Sequence, residues 1–338
     1  MNVRNRIEAM EESFIIPAGA KSKDSLGRER AECLDDTRTA YMIDRDRIIH
    51  CKSFRRLKRK TQVYIKTWND HYRTRLTHTL EVSQIARTIG RGIGLNEDLI
   101  EAIALGHDIG HVAFAHSGEE VLNEILPSGF SHNENSIRVL KHIENGGKGL
   151  NLTKEVLDGI LYHSGFSNKE IKAFTLEGQV VKYSDKIAYV NHDIDDSLRA
   201  GLLKMKDIDE DILKILGYSH GERIDTLVKD CITTTTDNIK ENLLEVAFSK
   251  DIDKKFKDLR SFMFEKIYNG NVLKEERDRA RFILKHVYEY FYKNPNKLPE
   301  FYRDVAKSEG VSQGVADYIS GMSDEYCIKI FEDIYIPK

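Results

Sequence analysis

From position 36 to the C-terminus, apolar residues recur at steps of three and four, and only five prolines interrupt the 338 residues. That spacing is helical, because side chains three or four apart share one face of an α-helix. In HTLEVSQIARTIGRGIG (78–94), Val82, Ile85, Ala86, Ile89 and Ile93 make such a face. In NEDLIEAIALGHDIGH (96–111), Leu99, Ile100, Ile103 and Ala104 make another, with Asn96 placed to cap its start. The same pattern predicts helices over 133–144, 153–163, 177–200, 222–246, 253–267, 273–293 and 312–332. The β-branched run CITTTT (231–236) lies inside a helical pattern and is read as helix. KTQVYIKT (60–67) reads as a strand or hairpin arm. The fold class expected is all-α.

Residues 1–34 are polar and mixed, with Gly19 and Gly27 as breakers, and read as an arm. The expected organisation is that arm, a core over 35–200, and a helical region over 201–338 packed on the core. The length suits two domains or one large one, with enough chain to bury a core. A charged fraction of 32% exceeds the usual quarter and fits helices with solvated outer faces. The net charge of −3 favours neither a nucleic-acid partner nor its absence. Cys33, Cys51, Cys231 and Cys327 form no CxxC pair, which argues against a zinc knuckle or a disulfide framework. No apolar region opens the chain as in a secretory signal, and no run reaches membrane-spanning length, so a reducing cytoplasm is the expected location.

The chemistry concentrates in LGHDIGHVAFAHSGEE (105–120), which holds His107, Asp108, His111, His116, Glu119 and Glu120. Four-residue spacing predicts that His107 and His111 share a helix face. Asp108, beside His107, is positioned to reach the same ion from a helix end. His78 heads the preceding helix and Asp185 lies on a later one. Two imidazoles and two carboxylates form a nitrogen-and-oxygen donor set suited to Mn²⁺ or Mg²⁺, with Fe²⁺, Co²⁺ and Zn²⁺ also compatible. In 183–196, Asp185, Tyr189, His192, Asp193 and Asp196 form one polar stripe, opposite an apolar stripe of Ile187, Val190, Ile194 and Leu198. A cleft wall and a solvent face both give that pattern.

The order H…HD…D, carried by His78, His107-Asp108 and Asp185, resembles the HD-domain phosphohydrolases. RDRIIHCKSFRRLKRKTQVY (45–64), RTRLTHTLEV (73–82), ALGHDIGHVAFAHSGEE (104–120), FSHNENS (130–136), YSDKIAYVNHDIDD (183–196) and DYISGMSDEY (317–326) match, in order, one branch of it. That branch is the deoxynucleoside triphosphate triphosphohydrolases, the dGTPases and dGTPase-like proteins. The resemblance spans roughly 35–335. Two departures stand out: Val112-Ala113-Phe114-Ala115-His116 replaces the family's PF-x-H segment, and Arg59 stands where a glycine is common.

The resemblance implies hydrolysis of a dNTP to deoxynucleoside and tripolyphosphate, dependent on a divalent metal. It implies His116 as general acid or base, Glu119 as the residue orienting it, and His132 beside the α-phosphate. A carboxylate three residues away also suits His116 to hold a proton near neutral pH. Arg75 and Lys186 are implied as triphosphate contacts, and Gln62, Tyr189 and Asp193 as sugar contacts. A ring under C2′ would exclude a ribose hydroxyl. Family members assemble as tetramers or hexamers, some with an activating nucleotide bound at an interface. The run KSFRRLKRK (52–60), with six basic residues in nine, also suits an allosteric nucleotide or weak single-stranded DNA binding. Asp317, Tyr318 and Asp324 of DYISGMSDEY are expected to brace the cleft or a subunit contact. The alternatives are another HD phosphohydrolase, such as a 5′-nucleotidase or phosphodiesterase, or a nucleotide or single-strand sensor with a residual site.

Overall fold

The computed structural model describes residues 2–62, 73–165, 172–268, 270 and 274–337. Among them sixteen α-helices form, and extended pairing is limited to isolated bridges such as Thr61 with Thr74. The all-α expectation holds. Positions 63–67 of the expected strand KTQVYIKT lie outside the described residues.

The chain divides into two compact units, each assembled from three segments. The first comprises Met1–Ile49, His78–His107 and Asn151–Val272. Its helices are α1 (Val3–Phe14), α2 (Ala40–His50), most of α4 (Arg75–Ile93), α5 (Glu97–Gly106), α8 (Lys154–Leu161), α9 (Leu176–Arg199), α10 (Glu210–Leu216), α11 (His220–Lys240) and α12 (Lys250–Met263). α9 packs against α5, α8, α11 and α12, so the long helix carrying Asp185 is central to this unit. Val82, Ile85, Ala86, Ile89 and Ile93 are all buried, as are Leu99, Ile100, Ile103 and Ala104. Asn96 caps α5 by accepting from the amides of Asp98 and Leu99. α5 and α8 meet closely at Gly159, where a Cβ would lie 2.5 Å from Cδ1 of Ile103.

Residues 1–34 join this unit through buried carboxylates. Glu11 accepts from the amide of Ser22 at 2.7 Å and from Nδ2 of Asn96 at 3.1 Å. Glu177 accepts from the amides of Ala20 and Asn96, and burial pushes its pKa up to about 7.

The second unit comprises His50–Thr77, Asp108–Leu150 and Leu273–Lys338. It contains α3 (Lys52–Arg56), α6 (Ala115–Ile125), α7 (His132–Arg138), α13 (Lys274–Lys293), α14 (Glu300–Glu309), α15 (Val311–Ser320) and α16 (Asp324–Tyr335). α13 packs against α6, α15 and α16. Leu122, Leu284, Val287, Val315, Ile319 and Cys327 form the heart of its core. Full burial of one such Leu, Ile or Val contributes about 1.5–3 kcal/mol.

Several helix boundaries differ from expectation for local reasons. The helix expected over 312–332 is two, because the chain turns at Gly321 and Ser323 caps α16 by accepting from the amide of Tyr326. The helix expected over 222–246 stops at Lys240, and Asn242 takes a left-handed φ of 61°. α7 passes into a π-turn at Val139–Ile143, and α12 into another at Phe264–Tyr268. α1, α2, α3, α6, α10 and α14 have no counterpart among the predicted helices. No described helix is long and apolar enough to cross a membrane.

Candidate functional site

In the first unit, His78 stands in the first turn of α4, His107 at the C-cap of α5, and Asp185 midway along α9. His78 Nε2 lies 3.1 Å from Asp185 Oδ1, and His107 Nε2 lies 3.8 Å from the same oxygen. Cis ligands on bonds of about 2.1 Å sit roughly 3–3.5 Å apart. The His78–Asp185 spacing falls in that range, and the His107–Asp185 spacing is a few tenths of an ångström beyond it. His107 Nδ1 donates to the carbonyl of Ala104 at 2.6 Å. A carbonyl only accepts, so that bond fixes the proton on Nδ1 and leaves the Nε2 lone pair on the Asp185 side. His163 repeats the device, donating from Nδ1 to the carbonyl of Ile160 at 2.6 Å, with its ring 5.0 Å from that of His107. Ligand atoms of His107, His163 and Asp185 all lie within 4.8 Å of one another. These carbonyls belong to the last turns of α5 and α8, whose partial negative charge favours a cation nearby.

The expected shared helix face of His107 and His111 does not form. α5 ends at Gly106, and the chain turns through 107–110 before His111. Its place is fixed in the second unit. A Cβ on Gly110 would lie 2.2 Å from the carbonyl oxygen of His132 and from the amide nitrogen of Ser136. Only glycine permits that approach, and the Gly110 amide then donates to Ser136 Oγ at 2.8 Å. Asn135 Nδ2 donates to the Gly110 carbonyl, so FSHNENS clasps the turn after Asp108.

Asp108 is buried, accepting at Oδ2 from Arg75 Nη1 at 2.7 Å, with His111 Nε2 3.2 Å from Oδ1. Arg75 is buried as well, and its Nε has no hydrogen-bond partner among the described residues. His111 stacks on His132 at 3.9 Å between ring centroids. Burial, with Arg75 and His132 nearby, drives the pKa of His111 well down, so that ring is neutral. His132 goes the other way. Burial opposes its charge, but the Glu119 carboxylate outweighs burial and raises its pKa. Glu119 accepts from His132 Nδ1 at 2.9 Å and from the His132 amide at 2.8 Å. Burial would raise the pKa of Glu119, yet the facing histidines hold it far below the carboxylate range.

His116 is 70% exposed at its side chain, with Nδ1 3.7 Å from Glu119. That is longer than a hydrogen bond, so the carboxylate three residues away is engaged by His132 more directly than by His116. In the segment that replaces PF-x-H, Phe114 and Ala115 both take left-handed φ, 62° and 52°, just before His116. The turn is tied down by Asp324, which accepts from the amides of Phe114 at 3.0 Å and Thr61 at 2.9 Å. Lys60 Nζ donates to the carbonyls of His111 and Ser320, and burial brings its pKa to about 7.

The polar stripe of α9 is not a solvent face, for His192, Asp193 and Asp196 are buried. Asp193 accepts from the Tyr268 hydroxyl, and Arg260 Nε donates to the Tyr189 hydroxyl at 2.7 Å. Lys186 lies over the Tyr183 ring, and burial with Lys182 nearby lowers its pKa to about 7. Gln62 belongs to the second unit and Tyr189, Asp193 and Lys186 to the first. Sequence reasoning did not single out His163, Lys60, Arg260 or Tyr268. For His163 a signal existed, a histidine directly after an apolar helical run.

Two family models match the chain, an HD domain over 75–190 and a phosphohydrolase-associated domain over 246–333. A deoxyguanosinetriphosphate triphosphohydrolase-like protein of Clostridium tetani is 68% identical, covering 100% of this chain and 97% of its own. One of the same description from Clostridium perfringens is 60% identical over 100% of this chain and 99% of its own. Another, from Caldanaerobacter subterraneus, is 52% identical over 100% of this chain and 97% of its own.

Proposed function

Because the chain belongs to the HD-domain, deoxyguanosinetriphosphate triphosphohydrolase-like family, we propose that it hydrolyses deoxynucleoside triphosphates, dGTP among them, to deoxynucleoside and tripolyphosphate. The observation that carries this reading is the meeting of His78 and His107 on one oxygen of Asp185, with the His107 tautomer fixed for ligation.

The proposed metal ligands are His78, His107, Asp108 and Asp185, with Asp108 following His107 directly in the chain. A divalent ion, Mn²⁺ or Mg²⁺, would supply charge neutralisation and polarisation of phosphate oxygens. Arg75 and Lys186 are the proposed phosphate cations. Arg75 suits the role because Asp108 orients its guanidinium while Nε is not engaged by a described residue. In the reaction, water adds to the α-phosphorus, the bond to the 5′-oxygen breaks, and that oxygen takes up a proton. His132 is the charged imidazole best prepared to give it, because Glu119 binds Nδ1 and stabilises the imidazolium. His116, exposed and near the same carboxylate, is the second proton donor to test.

Tyr189, fixed by Arg260, and Asp193, fixed by Tyr268, are the proposed sugar contacts together with Gln62. A rigid ring under C2′ would disfavour ribose, and buried polar groups left unpaired would disfavour sugars lacking a 3′-hydroxyl. A tetrameric or hexameric assembly, an activating nucleotide and weak single-stranded DNA binding belong to the same reading.

The test is purified protein with Mn²⁺ or Mg²⁺ and the four dNTPs, singly and mixed, with products resolved by chromatography. Deoxynucleoside plus tripolyphosphate, abolished by EDTA and by Asp108→Ala, supports the proposal. Turnover only in mixtures identifies an activating nucleotide. Cleavage of monophosphates or phosphodiesters, with every dNTP left intact, overturns it.

A further inference from the structure

The imidazoles facing Asp185 are fixed in two different ways. His107 and His163 each give their Nδ1 proton to a carbonyl three residues back, which is free to accept because it lies at a helix C-terminus. His78 stands in the first turn of α4, where the preceding carbonyls are engaged along the helix. Its Nδ1 turns instead to His192 Nδ1, at 3.4 Å. His192 is buried and lies seven residues, two helical turns, beyond Asp185 on the same polar stripe of α9. One helix therefore addresses both ring nitrogens of His78, with Asp185 at Nε2 and His192 at Nδ1.

Two ring nitrogens facing each other must be one donor and one acceptor. Glu81 breaks that tie, for its Oε2 lies 3.4 Å from His192 Nε2. With no cation between them, a carboxylate requires a proton on the nitrogen facing it, which makes His192 Nδ1 the acceptor and His78 Nδ1 the donor. Asp185 faces His78 Nε2 across the proposed metal position, where the cation would take the place of that proton. The Nε2 lone pair of His78 is then directed to the Asp185 side, the form a metal requires. The reverse arrangement would set the His192 Nε2 lone pair against the Glu81 carboxylate.

From this geometry we propose that His192 and Glu81 are positioning residues that hold His78 in its metal-ligating tautomer. The proposal rests on the metal reading given above. Glutamine at position 192 offers a carbonyl to His78 and an amide proton to Glu81, the polarity required here. Leucine keeps the bulk and offers neither.

The experiment is calorimetric titration of the full chain with Mn²⁺, for wild type, His192→Gln, His192→Leu and Glu81→Leu, with the melting temperature of each in EDTA. We expect His192→Leu to bind Mn²⁺ about 10- to 100-fold more weakly, Glu81→Leu to shift the same way, and His192→Gln to stay within a few-fold of wild type. Wild-type affinity in His192→Leu overturns the inference and leaves the metal reading standing. Equal weakening in Leu and Gln variants also overturns it, because packing and not polarity would then be what matters. If either variant is unfolded in EDTA, Glu81→Leu, at a position 39% exposed, decides alone. Absence of Mn²⁺ binding in the wild type overturns the metal reading and this inference with it.

Discussion

Glu119 grips His132 at both backbone and side chain, 2.8 Å from the amide and 2.9 Å from Nδ1, while His116 stays 3.7 Å away. The carboxylate is thus built into the start of α7. It stabilises the charged form of an imidazole whose stacked neighbour, His111, is kept neutral.

Stability should depend on pH through this pair. The pKa of Glu119 is depressed, so its contribution is present above the ordinary value of 4.5 and disappears only at far lower pH. The pKa of His132 is raised, so its contribution is full below 6.5 and fades as pH climbs through the folded-state value. Glu119→Gln should therefore lose most stability between about pH 4.5 and 6.5, roughly 3 kcal/mol, and less in alkali. Urea denaturation across pH checks this, and a loss independent of pH would count against the ion pair.

If His132 delivers the proton to the leaving oxygen, His132→Ala should lower kcat by about 10²–10⁴-fold with a smaller change in KM. Glu119→Gln should move the alkaline limb of the kcat profile to lower pH, because the imidazolium loses its partner. A large kcat loss in His116→Ala with little effect in His132→Ala would transfer the role to the exposed ring. Steady-state rates on the best dNTP decide between them.

Asp324 joins two backbone amides from distant parts of the sequence, Thr61 beside Gln62 and Phe114 in the left-handed turn. Each hydrogen bond to its carboxylate is worth about 1.5–3 kcal/mol. Asp324→Ala should lower the melting temperature and also raise KM, because both Gln62 and the approach to His116 lose their anchor. Asp324→Asn, which can accept only one of the two bonds, should fall between. Thermal melts paired with kinetics would expose a purely structural role as a melting shift without a KM change.

Sugar choice should follow Tyr189. Its hydroxyl is held by Arg260 at 2.7 Å, so the ring is poorly able to swing aside for a 2′-hydroxyl. Tyr189→Ala should reduce the kcat/KM preference for dGTP over GTP by about tenfold or more. Arg260→Met, which frees the ring without removing it, should relax selectivity to a lesser degree. Competition assays with the two nucleotides measure both, and unchanged selectivity in Tyr189→Ala would refute the assignment.

The helices were legible wherever apolar spacing was sustained, as in 78–94 and 96–106, where every residue assigned to an apolar face is buried. Boundaries were legible where a cap was strong, as at Asn96, and missed where a turn depended on a short-range competition, as at Gly321 and Ser323. His78, His107, Asp108 and Asp185 are nominated as candidate ligands by their order along the chain, matched to the resembling family. The sequence also placed Asp185, His192 and Asp193 on one stripe of α9, because those relations are local or ordinal. It could not say whether that stripe faced water.

Only tertiary structure decided that His192 and Asp193 are buried, that Glu119 engages His132, and that Asp324 ties Thr61 to Phe114. The physical reason is that a buried polar side chain must find a partner, and the partner found is the one packing brings near, often a hundred or more residues away. Periodicity encodes which face turns inward. Which donor then meets which acceptor, and on which nitrogen a histidine carries its proton, is set by helices packing in three dimensions.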